Sequence, residues 1–467
     1  PRKGQTCEVG NHQRQTCCWA CKEPKRCEKA RAEGGRPIRA GLIGAGKFGS
    51  MILSQARFIE GLHIVGVADL NVTRARESLA RVGWEAGAYQ APSFGEAMDT
   101  GGTFVTEDAM ALTQFDGIES IIDATGHPLA GVRHALSAID HNKHVVMVNV
   151  EADVLCGPWL AARAKKQGVL YSMAYGDQPA LICQLVDWVR SCGFELVAAG
   201  KGMKYVPDYR YSTPDTVWDH FGWSKEEVAA GVFNPKMYNS FVDGTKSAIE
   251  MAAVANATGL SCPDNGLGFY PCGTHDLARV FRPETDGGRL PKSGLAEGAA
   301  SEKLDGRQVH NDIRWGVWAT FRAPCEYTRD CFRQYGLKID ESGWYGSSWR
   351  PFHIIGLEAA ISVLSCCLRG EPTGSSKDYR GDAVAIAKAD LQAGSMLDGE
   401  GGYAVVADAL PASTSAKMNA LPIGLAHHVK LKKHVAKDQI VTMDDVDVTE
   451  DLDIVKIREE QKAMVAD

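Results

Sequence analysis

Apolar positions follow two rhythms along this chain. From residue 37 to 172 short apolar runs alternate with stretches of helical spacing. That pattern predicts alternating strands and helices, and so a parallel sheet covered on both faces. Strands are expected at Ile38–Ile43, His63–Ala68, Ile118–Ala124, Lys143–Val150 and Val169–Met173, with helices at Ser50–Ile59, His127–Ile139 and Trp159–Gln167. Beyond 175 the alternation breaks. Ala180–Ser191 reads as a helix and Phe194–Gly200 as a strand, and Ser224-Lys225-Glu226-Glu227 is a capping box that opens a short helix. Asp243–Leu260 is a long helix, apolar on nearly every face, and such a helix is a buried one. Residues 261–350 are rich in Gly, Pro and aromatics, and Ile354–Leu368 is an apolar helix. A weak repeat relates Ala387–Leu397 to Leu431–Val441, each half a strand, a tight turn and a second short strand; Asp451–Val465 has amphipathic helical spacing. The expected organisation is a polar Cys-rich extension (1–30), an alternating strand–helix domain (31–175), a second domain (176–378), a small β-rich module (379–450) and a C-terminal helix (451–467). The expected class is α/β, with a doubly wound parallel sheet first.

The first strand runs into Gly44-Ala45-Gly46-Lys47-Phe48-Gly49, and the second ends on Asp69, twenty residues beyond Gly49. Strand, G-x-G-x-x-G turn, helix, strand and acid in this order form the dinucleotide fingerprint, so 31–175 is expected to be a Rossmann dinucleotide-binding domain and 176–378 the catalytic or substrate domain. Gly44 permits the turn, Gly46 admits the pyrophosphate, and Gly49 lets helix and strand pack. The helix start, with Lys47 and Phe48, offers free N–H groups to phosphate. Asp69 is expected to hold an adenosine ribose, which favours NAD over NADP; Arg74 and Arg76 soften that preference. Ligands sit at the carboxyl ends of such strands, so Thr125, Gly126, Asn149 and Glu151 are expected along the same cleft.

A hydrophobic content of 45% fits a globular chain, and a net charge of −7 with no basic stripe excludes nucleic acid as the main partner. No apolar run reaches membrane-spanning length. Nine of the fourteen cysteines are scattered without ligand spacing, which suits a reduced, cytoplasmic protein. The other five crowd residues 7–27, where Cys18-x-x-Cys21 offers half a zinc site; an extension outside the folded domains is the favoured reading. No required metal is expected.

Polar groups in the buried helix carry the candidate chemistry. Lys246 and Glu250 lie at i, i+4, either lining an active site or forming a buried pair that only fixes the fold. Lys201 and Lys204 follow a strand end and suit a proton donor to a carbonyl oxygen, or else are solvated. Lys292 is a candidate ligand for an anionic group, and His353 an acid, a ligand or a core histidine.

Several stretches together resemble a known group. They are Arg36–Gly46, Asp123-Ala124-Thr125-Gly126, Lys143–Asp153, Ala199-Gly200-Lys201-Gly202, Asp243–Gly259, Lys292-Ser293-Gly294, Arg350-Pro351 and Leu421-Pro422-Ile423-Gly424-Leu425. From about residue 30 to 450 the chain resembles the homoserine-dehydrogenase-like oxidoreductases that end in a SAF domain, among them the deoxyxylulose-phosphate reductoisomerase-like (DRL) enzymes. The resemblance implies a catalytic domain with an antiparallel sheet, a SAF module, a homo-oligomer, and roles for Lys201, Lys246, Glu250 and Lys292. The DRL branch uses NADPH and has arginines where this chain has Asp69-Leu70-Asn71. Homoserine dehydrogenases carry an Ala-Asn-Lys motif where this chain has Val148-Asn149-Val150-Glu151, without that lysine. The expected function is hydride transfer between NAD(P) and a small polar hydroxy or oxo substrate. The alternatives are NADPH-dependent reductoisomerisation of 1-deoxy-D-xylulose 5-phosphate and a non-catalytic nucleotide- or metabolite-sensing protein.

Overall fold

The computed structural model describes residues 34, 36–230, 234–448 and 451–465. The Cys-rich stretch 1–30, with Cys18 and Cys21, lies outside the described residues. Six parallel strands form the first sheet: β1 (Ile38–Ile43), β2 (Leu62–Ala68), β3 (Phe104–Thr106), β4 (Ser120–Asp123), β5 (His144–Met147) and β6 (Tyr171–Met173). Their order, β3-β2-β1-β4-β5-β6, is that of the doubly wound dinucleotide fold. The crevice above β1 and β4 is the point where strand order reverses. Helix α1 (Lys47–Ala56) follows β1, and α2 (Val150–Gln167) follows β5. The second helix begins nine residues before the expected Trp159. Asn149 accepts from the Ala152 N–H at 3.2 Å and caps it there, and Pro158 sits inside the helix.

Helix α3 (Gln178–Ser191) leads into a second sheet of β7 (Glu195–Met203), β8 (Tyr270–Pro271), β9 (Leu295–Ala300), β10 (Val317–Arg322), β11 (Lys338–Ile339) and β12 (Tyr345–Arg350). Its order is β11-β12-β10-β7-β9-β8. It is antiparallel from β11 to β7, but β9 and β8 run parallel to their neighbours, so the expected antiparallel sheet is mixed. The cause is the long crossover between β7 and β9, which carries helix α4 (Thr245–Thr258). Every residue of α4 except Lys246 is buried, against α2, α3 and strands of the second sheet and of the C-terminal module. The expected helix Ile354–Leu368 is shorter. Residues 360–364 are helical and 365–369 form a π turn. Gly356, at φ +81°, breaks the earlier part, and a Cβ there would stand 2.7 Å from that of Met51 on α1.

The C-terminal module pairs β13 (Gly381–Ala387) with β15 (Val405–Pro411), and β16 (His427–Leu431) with both β14 (Met396–Asp398) and β17 (Val446–Asp447). The sequence repeat is a pseudo-twofold in the backbone. Leu391 and Val435, equivalent positions, exchange both hydrogen bonds at 2.9 Å. Asp438 N–H donates to Ala387 at 2.9 Å, and its equivalent, Gly394 N–H, donates to Leu431 at 2.8 Å. Helix α5 (Leu452–Lys462) buries Ile454, Ile457, Arg458 and Gln461 on one face. Arg458 ends on Asp382 and Tyr379 and donates to the Leu155 carbonyl at 2.9 Å, tying α5 to α2 and to β13. No helix of the described residues is long and apolar enough to cross a membrane.

Candidate active site

The glycine turn has the geometry its spacing predicts. Gly44 lies at φ +92°, and a Cβ there would meet the Ala124 carbonyl oxygen at 2.8 Å. A Cβ on Gly49 would lie 2.0 Å from the Gly44 oxygen, so helix and turn touch there, whereas one on Gly46 would meet nothing within 4 Å. Gly46 caps α1 without a side-chain bond, and the first turn carries no acid. The helix start therefore keeps open N–H groups and an open face, which fits a pyrophosphate. Lys47 is exposed and Phe48 half-buried beside it.

Asp69 makes contacts that its place in the motif does not predict. It is buried, and Oδ2 accepts from the Ala45 N–H at 2.8 Å while Oδ1 accepts from Asn71 N–H at 2.9 Å and from Arg74 at 2.7 Å. The carboxylate thus braces the glycine turn, and the outward face beside it is the Arg74 guanidinium, whose side chain is 57% exposed. Arg76 turns away to the Tyr89 carbonyl.

Asn149 also serves the scaffold. It is buried, and its amide donates to Thr125 Oγ1 at 3.1 Å and the His127 carbonyl at 3.0 Å. Thr125 Oγ1 donates to Asp123 at 2.8 Å, and His134 meets the other Asp123 oxygen at 2.7 Å. This network fixes the ends of β4 and β5 and leaves Gly126 exposed at the crevice.

The buried helix makes ion pairs other than its own i, i+4 pair. Lys246 reaches Glu151, in the first turn of α2, at 2.5 Å. Glu250, one turn on, receives Lys201 of β7 at 2.5 Å. Glu151 therefore binds a lysine, and α4 joins the carboxyl end of the first sheet to the middle of the second. Lys201 is not past a strand end but within β7, 7% exposed. Lys204 belongs elsewhere: it falls one residue beyond the end of β7 and pairs with Glu302 at 2.8 Å. Lys292 is not brought to the site. It lies in the bends before β9, where Gly294 N–H donates to the Val197 carbonyl, four residues (roughly 13 Å) along β7 from Lys201, and it stands 3.9 Å from exposed Asp264.

Three further groups complete the cluster. Asp177, after β6, caps α3 through Oδ1, while its buried Oδ2 has no hydrogen-bond partner. Burial and then Glu250 push it up to about 7, against Lys246 and Lys201. His353 Nδ1 meets the Trp315 carbonyl at 2.7 Å, and as a carbonyl only accepts, Nδ1 carries the proton and Nε2 is left as an acceptor. Burial, opposed by the Trp315 bond and joined by Lys201, holds His353 below the ordinary histidine value. Glu400, on a glycine-rich turn of the C-terminal module, is pushed up to about 8 by burial and by Glu151. Burial opposes the Lys246 ammonium, but Glu151, Glu400, Glu250 and Asp177 outweigh it and hold its pKa above the ordinary lysine value. Residue patterns single out the Gly176–Pro179 turn without giving Asp177 a task, and miss Glu400; a carboxylate flanked by glycines, Gly399-Glu400-Gly401, is the signal that pointed to it. The arrangement holds two lysines as ammonium donors beside two carboxyl groups that change charge near neutrality, which suits general acid–base chemistry.

Residues 176–359 match the family described as Oxidoreductase DRL, catalytic domain. Among curated proteins none is significantly similar. Similar solved structures include myo-inositol dehydrogenase from Lactobacillus casei in complex with NAD(H) and myo-inositol (15% identity, 39% of this chain and 50% of that chain covered, TM-score 0.27). A probable dehydrogenase from Thermotoga maritima shares 12% identity over 72% of this chain and 90% of that chain, with a TM-score of 0.35. Biliverdin reductase from Synechocystis, in complex with biliverdin and NADP+, shares 20% over 38% of this chain and 51% of that chain, with a TM-score of 0.24. The chain spans about half the length of the first and third of these, and at such scores they carry no weight for function. What the family match and the sheet order show is a doubly wound parallel sheet followed by a segment similar to an oxidoreductase catalytic domain.

Proposed function

We propose that this chain transfers a hydride between NAD(P) and a small polar hydroxy or oxo compound that carries an anionic group. The observation that carries the reading is α4, whose Lys246 meets Glu151 above the dinucleotide sheet and whose Glu250 holds Lys201 in the catalytic sheet. A nicotinamide bound over β4 and β5 supplies or accepts the hydride. Lys201 donates a proton to the carbonyl oxygen in reduction, and Glu250 fixes the direction of its ammonium. Lys246 binds the anionic group. The Lys201 ammonium is restored with a proton from water, and His353, neutral, offers Nε2 as a hydrogen-bond acceptor. Asp69 favours NAD, and Arg74 is the residue that admits the 2′-phosphate of NADP. Calorimetric titration with NADH and with NADPH tests the cofactor. Lys201→Ala is then expected to lower turnover by about 10²–10⁴ while cofactor affinity stays near that of the parent. Unchanged turnover would overturn the assignment.

A second reading, reductoisomerisation of 1-deoxy-D-xylulose 5-phosphate, is supported by the family match and by two lysines at one site for a phosphate. Consumption of NADPH only when that compound is added decides for it. We read residues 379–450 as a SAF module, on the strength of the pseudo-twofold, within a homoserine-dehydrogenase-like plan. A homo-oligomer in the cytoplasm is the setting we propose; the nine free cysteines among the described residues suit a reducing compartment.

A further inference from the structure

The cations around the site differ in how they are paired. Lys201 holds Glu250, Lys246 holds Glu151, Lys204 holds Glu302 and Arg350 holds Glu358, so each of these charges is already matched. The Arg314 side chain makes no hydrogen bond and no ion pair among the described residues. Its guanidinium stands instead over two rings, Trp315 at 4.7 Å and Phe221 at 5.9 Å from their centres. The side chain is half-buried, yet none of its nitrogens is shut off from solvent. The turn that carries it is fixed. Asp312 Oδ1 accepts from the Arg314 N–H at 2.9 Å while Oδ2 takes the Gln308 amide at 3.0 Å, and the Gly316 N–H donates to the Ile313 carbonyl at 2.8 Å. The turn is also pinned to the strand of Lys201. Val317 stands opposite Lys201 in the β10–β7 pair, the Gly202 N–H donates to the Gly316 carbonyl at 3.0 Å, and a Cβ on Gly202 would meet the Ile313 oxygen at 1.8 Å. Beyond Arg314, the Trp315 carbonyl holds His353 at 2.7 Å. Trp315, Phe352 and Ile354 are exposed around that bond. From Phe221 a row of rings continues through Tyr238 at 5.5 Å to Phe241, a further 5.9 Å on, in the segment that leads into α4.

We propose that Arg314 binds a second anionic group of the substrate, a carboxylate or a phosphate, and so selects compounds that carry two acidic groups. The proposal rests on the reading of Lys201 as the proton donor and of Lys246 as the ligand of the first anionic group. A guanidinium taken partly out of water without a counter-charge is costly, and an arriving anion removes that cost. Two rings hold the planar fork in one orientation, so little freedom is lost when it receives a carboxylate or phosphate through paired hydrogen bonds. Burial lowers the Arg314 pKa against the attraction of Glu302 and Asp312, which fits a cation short of a direct partner. Glu302 is taken by Lys204 and by the Tyr209 hydroxyl, and Asp312 by the Gln308 amide and the Arg314 backbone. Lys246 lies on α4 and Arg314 on the turn before β10, so one group cannot be assigned to both without leaving the other cation unused.

Inorganic phosphate and malonate serve as probes. Each is titrated calorimetrically at neutral pH into the full chain saturated with NADH, so that the glycine turn is filled and does not take the anion. Arg314→Met is expected to weaken binding of phosphate, malonate or both at least about tenfold. Its melting temperature should stay near that of the parent, because no polar partner is stranded. A loss confined to phosphate marks the group as a phosphate, and one confined to malonate as a carboxylate. Arg314→Lys keeps the charge without the planar fork and should recover only part of the affinity, which keeps the test open if the methionine variant misfolds. Lys246→Met should weaken binding as well, and the double variant more than either single one. Affinities of Arg314→Met and Arg314→Lys equal to those of the parent for both probes overturn the role of Arg314 and leave that of Lys246 standing. Affinities of Lys246→Met equal to those of the parent overturn the Lys246 reading, and with it the second group. Binding of neither probe by the parent overturns both.

Discussion

Lys201 and Glu250 meet at 2.5 Å although 49 residues and two different elements separate them. Both are buried, so each charge depends on the other. Removing one partner of such a pair strands the other in a poor solvent. Glu250→Leu is expected to cost about 3–5 kcal/mol in urea unfolding, and the double variant with Lys201→Met to recover most of it. The double variant should remain without turnover, which separates the structural use of the pair from its chemical use.

Gly46 and Gly49 differ in what surrounds them. Gly46→Ala should leave the melting temperature close to the parent and weaken NADH binding at least about tenfold, because the new methyl occupies the phosphate approach. Gly49→Ala drives a methyl into the Gly44 carbonyl and should lower the melting temperature before any cofactor is added. Equal melting temperatures in the two variants would contradict this division.

Arg74 decides cofactor choice if its position on Asp69 has the meaning proposed. Arg74→Ala should weaken NADPH binding about tenfold more than NADH binding. Paired calorimetric titrations measure this, and an equal loss for both cofactors would count against it.

Arg458 on the last helix is buried with Asp382, and its removal leaves that carboxylate without its cation. Arg458→Met should destabilise the protein by about 3–5 kcal/mol in urea unfolding. The loss should loosen β13 and α2 together, read as faster amide exchange in both.

Glu297 on β9 is fully enclosed and accepts from the Gly268 and Gly298 N–H groups. Burial, against those hydrogen bonds, raises it from 4.5 to about 7. Between those values the folded protein holds a proton that the unfolded chain has released, so this group's contribution is complete below 4.5 and is lost as pH rises through about 7. Glu297→Gln should make the dependence of unfolding free energy on pH shallower by about 1.4 kcal/mol per pH unit in that window. An unchanged slope would rule out the titration.

Much of the first domain was legible because its signals are local. Gly44, Gly46 and Gly49 are required by backbone geometry within one turn, and alternating apolar runs suffice to predict a parallel sheet. The repeat between residues 387–397 and 431–441 was legible too, since two like strand–turn units can pair only through like bonds. The all-round apolar helix was rightly expected to be buried.

Partnership was not legible. Lys246 and Glu250 stand one turn apart and invite pairing with each other, yet each is drawn to a partner on another element, Glu151 and Lys201. Lys204 and Lys292 look like equals of Lys201 in sequence, but one falls beyond the end of β7 onto Glu302 and the other lies in the bends before β9, beside Asp264. That the folded turn brings the Ala45 N–H onto Asp69 was not legible either. Glu400 came into view only when a module that follows α4 by more than a hundred residues folded back upon it. The sequence by itself determined which groups must be buried and which backbone positions must be glycine, because those demands are local. Which charges share a dielectric, and so which lysine acts, depended on long-range packing that brings side chains within a few ångströms, and that only the tertiary structure decided.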